Sequence, residues 1–355
     1  MLSFGPDNVT HSAAPYGRVH RTAAAFRWSR WTAGRTDQWR TRIEQFLGIR
    51  PGQVGGGRRK LSGVVDIAML PSLARRDDLA AFTTGYGHVI VDECHHLAAA
   101  AYDHSVKRIA AQFWLGLTAT PARRDGLGEL VTWQLGPVRH TITHNMPDND
   151  QGTLIDGWET GAGPRRRWYI HETAFEFHSG ELDPSAPSAI AEAHRALAVD
   201  EARNTQLAAD VTAALKRGRN CLVLTRRVAQ LERLASLLAG RGYEALVLQG
   251  GMSASERRAA VNRLTDAKSG DGVLVIGTTP FIGEGFDAPA LDTLFLAAPV
   301  SYDGLLIQCA GRVIRAAPGK DVAEVHDYHD RGTPILAASL QRRTPGYRAL
   351  GFTRA

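Results

Sequence analysis

Two long segments of the chain alternate short apolar runs with helical patterns. In the first, from about residue 37 to 140, apolar runs predict buried strands at Val64–Leu70, His88–Val91 and Phe113–Thr118. Asp37–Phe46 has apolar residues at helical spacing, which predicts a helix with Asp37 as its N-cap. Short apolar strands separated by helices favour a parallel sheet that is covered by helices on both faces.

The second segment, from about residue 200 to 330, repeats this pattern. Helices are predicted at Val228–Leu238 and Ser253–Leu264. The predicted strands around them are Cys221–Leu224, Glu244–Leu248, Val273–Ile276 and Thr293–Leu296. The pattern by itself therefore indicates two α/β domains and says nothing about their purpose.

The remaining residues divide the chain into four predicted regions. Residues 1–35 are rich in Arg, Ala, Ser and Trp with little periodicity, so we expect an irregular N-terminal segment. Residues 36–144 hold the first domain and residues 200–355 the second. Residues 145–199 form a linker, rich in Gly, Asp and Asn at its start, with a connecting strand at Arg165–Phe177.

Composition narrows the class of protein. With 44% hydrophobic and 22% charged residues, the chain is globular rather than disordered. It contains no run of about 18 apolar residues, so no membrane partner is expected. Its three cysteines are too few and scattered for a disulfide framework, which favours a reducing, cytoplasmic compartment. The net charge of +6 is weak support for a polyanionic partner.

Asp92 and Glu93 come directly after the predicted strand His88–Val91. Ligands of open α/β sheets bind at the carboxyl ends of the strands. The first acid can hold Mg²⁺, and the second can orient a water for attack on a γ-phosphate. For two such acids taken alone, a pair of solvated loop residues is the more common explanation. The Cys-His-His that follows is not a metal site, because three consecutive side chains cannot converge on one ion.

A second set of residues lies near the end of the second segment. Gln308, Arg312 and Arg315 follow at i, i+4 and i+7 and share one face of a predicted helix. Two arginines on one face can clamp a phosphate chain that another domain presents. The alternative for this stretch is an ordinary solvated basic face.

Small residues and glycines end several other predicted strands. Thr118 and Thr120, in the sequence TATP, follow the strand at Phe113–Thr118. The glycines of Gly250-Gly251 and of Thr278–Asp287 (TTPFIGEGFD) allow a phosphate to approach the backbone closely. Each of these signals is weak alone, because glycine turns are common between strands and helices.

Taken together and in this order, DECH, TATP, TTPFIGEGFD and QCAGRVIR resemble the motifs of the superfamily 2 helicases. The resemblance is to the group of the restriction-enzyme helicase subunit and the DEAD/DEAH-box proteins, and it covers about Asp37 to Asp330. It implies two RecA-like domains, with parallel sheets flanked by helices and with ATP and Mg²⁺ in the cleft between them. It also implies an ATP-dependent helicase or translocase. The ARRDG extension and the GEGFD form favour DNA over RNA.

The resemblance also implies a role for each motif residue. Asp92 would coordinate Mg²⁺, Glu93 would activate the attacking water, and Gln308, Arg312 and Arg315 would face the nucleotide. Coupling of hydrolysis to movement would involve Thr118, Thr120 and Glu284. Gly285 and Asp287 would contact the nucleotide and link its state to the grip on nucleic acid. The nucleic-acid backbone would be contacted by Thr225, Arg226, Gly250, Gly251 and Thr278.

One motif of the family is missing from the sequence. A P-loop, G-x-x-x-x-G-K-[ST], is absent, and the nearest imitation, Gly55–Ser62, differs in spacing and lacks the GK[ST]. We therefore expect an incomplete first domain and a chain that is the C-terminal part of a longer helicase. An upstream domain or partner subunit would supply the P-loop. The alternative is a P-loop-less module that binds nucleic acid without hydrolysing ATP.

Overall fold

A computed structural model describes residues 21–27, 33–94, 105–118, 128–141, 163–178, 186–279, 288–300 and 303–355. The chain divides into two compact units, Met1–Thr141 and Ile142–Ala355. Each unit is built on a largely parallel sheet with helices, as the apolar pattern predicted. No helix of the described residues is long and apolar enough to cross a membrane.

The first unit contains a six-stranded sheet with the order β3-β2-β4-β1-β5-β6. Its strands are β1 (Arg21–Arg27), β2 (Gly52–Gly55), β3 (Arg58–Lys60), β4 (Asp66–Met69), β5 (Tyr86–Asp92) and β6 (Phe113–Leu117). Its helices are α1 (Ala33–Leu47), α2 (Leu70–Ala74), α3 (Leu79–Thr83) and α4 (Gly128–Leu135). All strand pairs are parallel except β2 with β3, which form an antiparallel hairpin.

The expectation that residues 1–35 are irregular is wrong for part of that segment. Arg21–Arg27 forms β1, which lies inside the sheet and pairs in parallel with both β4 and β5. The sequence RTAAAFR has three alanines and no β-branched residue apart from one threonine, so its strand propensity is low. Pairing with β4 on one side and with β5 on the other stabilises this strand, although its own sequence favours a strand only weakly.

The first helix also differs from its prediction. It begins at Ala33 rather than after Asp37, so Asp37 lies within the helix and does not cap it. A capping residue marks a helix start only when the residues before it cannot continue the helix. Ala33–Thr36 contains no proline, and the helix extends back through it.

The second unit contains a seven-stranded sheet with the order β13-β7-β12-β11-β8-β10-β9. Its strands are β7 (Arg165–Glu172), β8 (Cys221–Thr225), β9 (Leu246–Leu248), β10 (Leu274–Thr278), β11 (Thr293–Leu296), β12 (Val322–His329) and β13 (Thr353–Arg354). Its helices are α5 (Pro187–Val199), α6 (Glu201–Lys216), α7 (Val228–Ala239), α8 (Ala254–Thr265), α9 (Asp303–Val313) and α10 (Pro334–Ala349). Every strand pair in this sheet is parallel.

The segment predicted as a linker with a connecting strand has another place in the structure. Arg165–Glu172 is β7, which pairs with β12 over eight residues and belongs to the second sheet. Residues 142–162, which include the Gly-, Asp- and Asn-rich start of the predicted linker, lie outside the described residues. The alternating pattern of β7 identified a strand, but only long-range pairing with β12 shows which sheet contains it.

Alternate residues of the second sheet point into two separate cores. Leu222, Leu224 and Val275 face one core, together with α9 and α10. Val223 and Ile276 face the other, together with α6 and α7. Apolar strands that are buried on both faces are typical of parallel sheets covered by helices. The prediction of such a sheet is confirmed for this unit.

Candidate functional site

The predicted catalytic acids lie at the carboxyl end of β5. Asp92 is the last residue of this strand, which lies between β1 and β6 in the first sheet. The indole Nε1 of Trp39, on α1, donates a hydrogen bond of 3.1 Å to Asp92 Oδ2. This contact orients a half-buried carboxylate at the edge where open α/β sheets bind their ligands.

Glu93 turns the chain sharply away from the strand. Its φ of 53° is the only positive φ of a non-glycine residue among those that the structure describes. An L-residue in the left-handed region costs roughly 1–2 kcal/mol, and such outliers cluster at functional sites. The strain therefore singles out the residue that the motif resemblance assigns to water activation.

Cys94 anchors this turn in the core of the first unit. It is buried, and its burial raises the pKa of its thiol to about 11, so it remains protonated at neutral pH. A Cβ at Gly116, on β6, would lie 3.0 Å from Cys94 Sγ and 2.6 Å from a methyl group of Leu135. Glycine at this position lets β6 pack directly against the turn.

A magnesium ion fits the donor set of this edge. No group of three or more His, Cys, Asp or Glu residues that could hold a metal occurs among the described residues. Mg²⁺ bound to a nucleotide does not need such a group of side chains, because its ligands are one or two carboxylates, phosphate oxygens and water. The single oriented carboxylate of Asp92 is therefore a sufficient protein ligand.

Thr118 lies beside these acids. Asp92 pairs with Leu117 across the β5–β6 ladder, so Thr118 comes one residue beyond the partner of Asp92 at the same edge. Thr120 belongs to residues 119–127, which lie outside the described residues. In the first unit, the structure thus brings together Asp92, Glu93 and Thr118.

In the second unit, Thr225 ends β8 and is fully buried. Its hydroxyl donates to Gln230 Oε1 at 2.5 Å, and its carbonyl accepts a hydrogen bond of 2.8 Å from Thr279 Oγ1. Gln230 in turn donates to Asn204 Oδ1 at 3.1 Å. The side chain of Thr225 therefore connects β8 to the helices behind it, and the exposed surface begins at the next residue.

Arg226 is that next residue. Its guanidinium lies 3.2 Å from Nε2 of His194, a buried histidine of α5. Burial, together with Arg226 and the neighbouring Arg227, lowers the pKa of His194 to about 4. The imidazole is therefore neutral at physiological pH and accepts a hydrogen bond from Arg226, which holds an exposed cation at the carboxyl end of β8.

Thr278 ends the neighbouring strand β10 and pairs directly with Thr225 in the parallel ladder. Gly250 and Gly251 precede α8, and a Cβ at either would meet nothing within 4 Å. Ser253 caps this helix through a capping box with Glu256. The capping box occupies the backbone N–H groups of Ser253 and Glu256, and the open turn at Gly250-Gly251 gives a phosphate room to approach the backbone before the helix. Residues 280–287, which include Glu284, Gly285 and Asp287, lie outside the described residues.

The arginines near α9 correct one detail of the prediction. Gln308 and Arg312 lie on the helix, but it ends at Val313, so Arg315 is not on a continuous helical face with them. Pro318 and Gly319, which follow closely, cannot continue a helix. Arg312 and Arg315 are both half-buried, and the side chain of Gln308 lies outside the described residues.

Sequence reasoning missed two residues that position this machinery. Trp39 is 53 residues from Asp92 in sequence. His194 is 32 residues from Arg226. Both residues lie on helices, and no local sequence pattern connects either of them to a motif. Their contacts arise only when the helix packs on the sheet.

Two family models match the chain. Residues 36–123 match the res subunit of the type III restriction enzymes, and residues 205–317 match the conserved C-terminal helicase domain. The first range contains Asp92, Glu93 and both TATP threonines, and the second contains the β8, β10 and α9 motifs. Each match therefore falls on the part of the chain to which the motifs pointed.

Similar proteins include a DNA 3′-5′ translocase of the archaeon Sulfurisphaera tokodaii, which is 37% identical over 101 residues. That alignment covers 28% of this chain and 22% of the relative. A protein of Acanthamoeba polyphaga mimivirus that is named as an ATP-dependent RNA helicase is 22% identical over 265 residues, or 73% of this chain and 46% of the relative. The chain thus spans less than half the length of either relative.

Solved structures share the fold. A fragment of an HsdR-type subunit of a type I restriction enzyme from Vibrio vulnificus matches with a TM-score of 0.62 and 16% identity. The match covers 94% of this chain and 57% of that one. At this identity the likeness concerns the fold, and it agrees with two RecA-like units.

Proposed function

Because this chain belongs to the superfamily 2 helicases, in the group of the type III restriction-enzyme res subunit, we propose that it couples ATP hydrolysis to movement along DNA. The strained turn at Asp92-Glu93, at the carboxyl edge of the first sheet, is the observation that carries this proposal. We further propose that it acts in the cytoplasm.

ATP bound with Mg²⁺ supplies the γ-phosphoryl group, whose transfer to water provides the free energy for movement. Asp92 would hold the metal through its carboxylate, which the Trp39 indole keeps in one orientation. Glu93 would orient the attacking water and accept its proton. Fixing both acids in advance lowers the barrier, because no rotation is needed when the charge develops.

The second unit would contribute cations and backbone donors. Arg312 and Arg315 would stabilise negative charge on the phosphates, an effect that contributes about 10³–10⁵ in rate where such arginines act. Gln308 would lie with them, and Gly285 and Asp287 would respond to the nucleotide. Thr118, Thr120 and Glu284 would couple hydrolysis to the grip on nucleic acid.

Nucleic acid would be held mainly through its phosphates. Arg226 is an exposed cation that His194 supports, and Gly250 and Gly251 leave backbone donors open. Thr225 and Thr278 are buried at the ends of paired strands and would act by holding these neighbours in place. Phosphate contacts carry little sequence information, which fits a motor that moves along any sequence.

DNA is proposed rather than RNA on the strength of one relative. The relative with the higher identity is a DNA translocase, although the viral relative is named for RNA.

Turnover by this chain also requires a cation at the β- and γ-phosphates, the place that a P-loop lysine takes in the family. No GK[ST] sequence occurs in the chain.

The test is ATP hydrolysis by the full chain with and without single-stranded DNA, duplex DNA or RNA. We expect DNA to stimulate turnover and Glu93→Gln to reduce it at least 100-fold, on the order of the loss of a catalytic acid. Glu232→Gln is the matched control, because Glu232 is an exposed glutamate on α7 to which no role in the site is assigned. Brisk turnover that Glu93→Gln leaves unchanged would contradict the assignment. Salt-sensitive DNA binding without any turnover would instead establish a binding module.

A further inference from the structure

Three consecutive cations follow the tight turn of the β2–β3 hairpin. Arg58, Arg59 and Lys60 form β3, and all three are exposed. Within the described part of the chain, none of them has an acidic partner, in contrast to Arg203 and Arg343, which pair with buried carboxylates. Their charge is therefore available to an external anion.

The base of this hairpin is fixed by a buried carboxylate. Asp66 is 1% exposed and accepts hydrogen bonds from the backbone N–H groups of Ser62 and Gly63, at 2.6 and 3.2 Å. The Tyr86 hydroxyl donates a third, at 2.7 Å. A Cβ at Gly52 would lie 2.0 Å from this carboxylate, so only glycine lets the hairpin strand pass it.

The tip of the hairpin is equally well defined. Gly56 and Gly57 form a two-residue turn with φ of 61° and 80°, the conformation in which glycine joins twisted strands without strain. A Cβ at Gly55 would lie 2.7 Å from the Ser72 hydroxyl and 2.9 Å from Met69. The cations thus stand on a rigid scaffold, which lowers the entropy lost when they bind a partner.

The hairpin reaches the same edge of the sheet as the catalytic acids. Arg58 pairs with Gly55, β2 runs beside β4 in register, and Met69 and Asp92 both pair with Arg27. These pairings place Arg58 and Asp92 in one row across five strands. Four strand spacings correspond to about 19 Å. The cations therefore lie on the same edge of the sheet as Asp92 but four strands away from it.

We propose that Arg58, Arg59 and Lys60 bind the phosphate backbone of the nucleic acid on which this protein acts, at a site separate from the motif residues. The inference rests on the proposed function for the identity of the polyanion. Charge complementarity, rigidity and the position at the ligand-binding edge carry it. Arg58 and Lys60 share one face of β3 and Arg59 lies on the other, so the strand presents positive charge on both sides of the sheet edge. Contacts of such cations with phosphates are independent of base sequence.

A different role for the same residues is protection of a sheet edge. β3 is the last strand on its side of the first sheet, and charged residues on such strands prevent pairing between molecules. The two roles differ in one respect. Edge protection needs charge of either sign, whereas phosphate binding needs positive charge.

The experiment compares two triple variants of the full chain with a matched control. Arg58→Ala/Arg59→Ala/Lys60→Ala and the corresponding triple glutamate variant change the hairpin. Lys216→Ala/Lys268→Ala/Arg342→Ala removes the same number of charges from exposed positions of the second unit. Affinity for a fluorescent single strand and a duplex is measured as a function of salt concentration, and size-exclusion chromatography reports the oligomeric state.

The alanine variant is expected to bind roughly 10- to 100-fold more weakly at 0.1 M salt, with a log–log salt slope smaller by about 2–3. The glutamate variant should bind more weakly still while staying monomeric, and the control should change less than 2-fold. Equal losses in the hairpin and control variants, or an unchanged slope, would overturn the inference. Aggregation of the alanine variant with normal binding by the glutamate variant would assign edge protection. If the unchanged chain does not bind any nucleic acid, the proposed function itself is wrong.

Discussion

The two sheets of this protein are buried to different degrees. Every residue of β8, β10 and β11 in the second sheet is buried. In the first sheet only three of the seven residues of β5 are buried, and none of β6 is. In the second unit, helices therefore cover both faces of these three strands, whereas the first unit leaves β5 and the edge strand β6 partly accessible.

This difference changes how each unit holds its functional residues. The second unit uses buried polar networks, in which ion pairs and amide contacts connect sheet and helices. At its acidic edge, the first unit relies on one indole–carboxylate hydrogen bond and on local backbone geometry, namely the strained Glu93 turn and the close packing at Gly116. We therefore expect the second unit to be sensitive to loss of buried charge and the first to small changes of shape.

The largest effect is expected for Asp327→Asn in the second unit. Asp327 accepts two hydrogen bonds of 2.9 Å from Arg343 and one of 2.7 Å from the Tyr347 hydroxyl, and both ion-pair partners are 1% exposed. Breaking one side of a buried ion pair costs about 3–5 kcal/mol, because the other charge is left uncompensated. Denaturant unfolding measures the loss, and hydrogen exchange shows which unit opens.

Glu201→Gln is the control for this variant. Glu201 pairs with Arg233 at an exposed site, where solvent screens the attraction, so this variant should change stability far less than Asp327→Asn. Equal destabilisation by the two variants would mean that burial does not distinguish the pairs. Opening of the first unit rather than the second would contradict the comparison of the sheets.

The next effect concerns acid stability and His194. Its pKa is about 4 in the folded state and about 6.5 when unfolded, so between these values the unfolded chain binds more protons. This contribution to stability is complete above pH 6.5 and is lost as the pH falls towards 4, by up to about 3 kcal/mol. His194→Gln should remove this part of the pH dependence.

Stability curves at several pH values between 4 and 7 provide the measurement. His178→Gln, at an exposed histidine, should keep the pH dependence of the unchanged protein. A slope that persists in His194→Gln would show that other groups cause the acid sensitivity.

The smallest effect is expected for Gly116→Ala in the first unit. The added methyl group would lie 2.6 Å from Leu135 and 3.0 Å from Cys94 Sγ, so the strand has to move. Overpacking of this kind costs about 1–3 kcal/mol. Because Cys94 follows Glu93 directly, nucleotide hydrolysis should fall together with stability.

Gly163→Ala is the matched control, since a Cβ there would meet nothing within 4 Å. Thermal unfolding and the rate of ATP hydrolysis are measured for both variants. Unchanged stability and activity in Gly116→Ala would mean that the packing between β6 and the acidic turn does not constrain the site.

Strands with continuous apolar runs were predicted well. β5 and β11 lie within a few residues of their predicted bounds, and β11 matches fully. The sequence does not predict the β2–β3 hairpin, because Gly55–Ser62 resembles a degenerate P-loop more than a turn between two strands. Asp66, which fixes that hairpin, was included only as part of a predicted strand.

The order and chemistry of the motifs were readable from the sequence alone, and so was the family. Such motifs are local: an acid after an apolar strand, or glycines before a helix, depend only on neighbouring residues. Three features depend on strand order and on the packing of helices against the sheet. They are the place of β1 inside the sheet, the Trp39–Asp92 hydrogen bond, and the alignment of Arg58 with Asp92 across five strands. Strand order is decided by packing between residues far apart in the chain, and only the tertiary structure contains it.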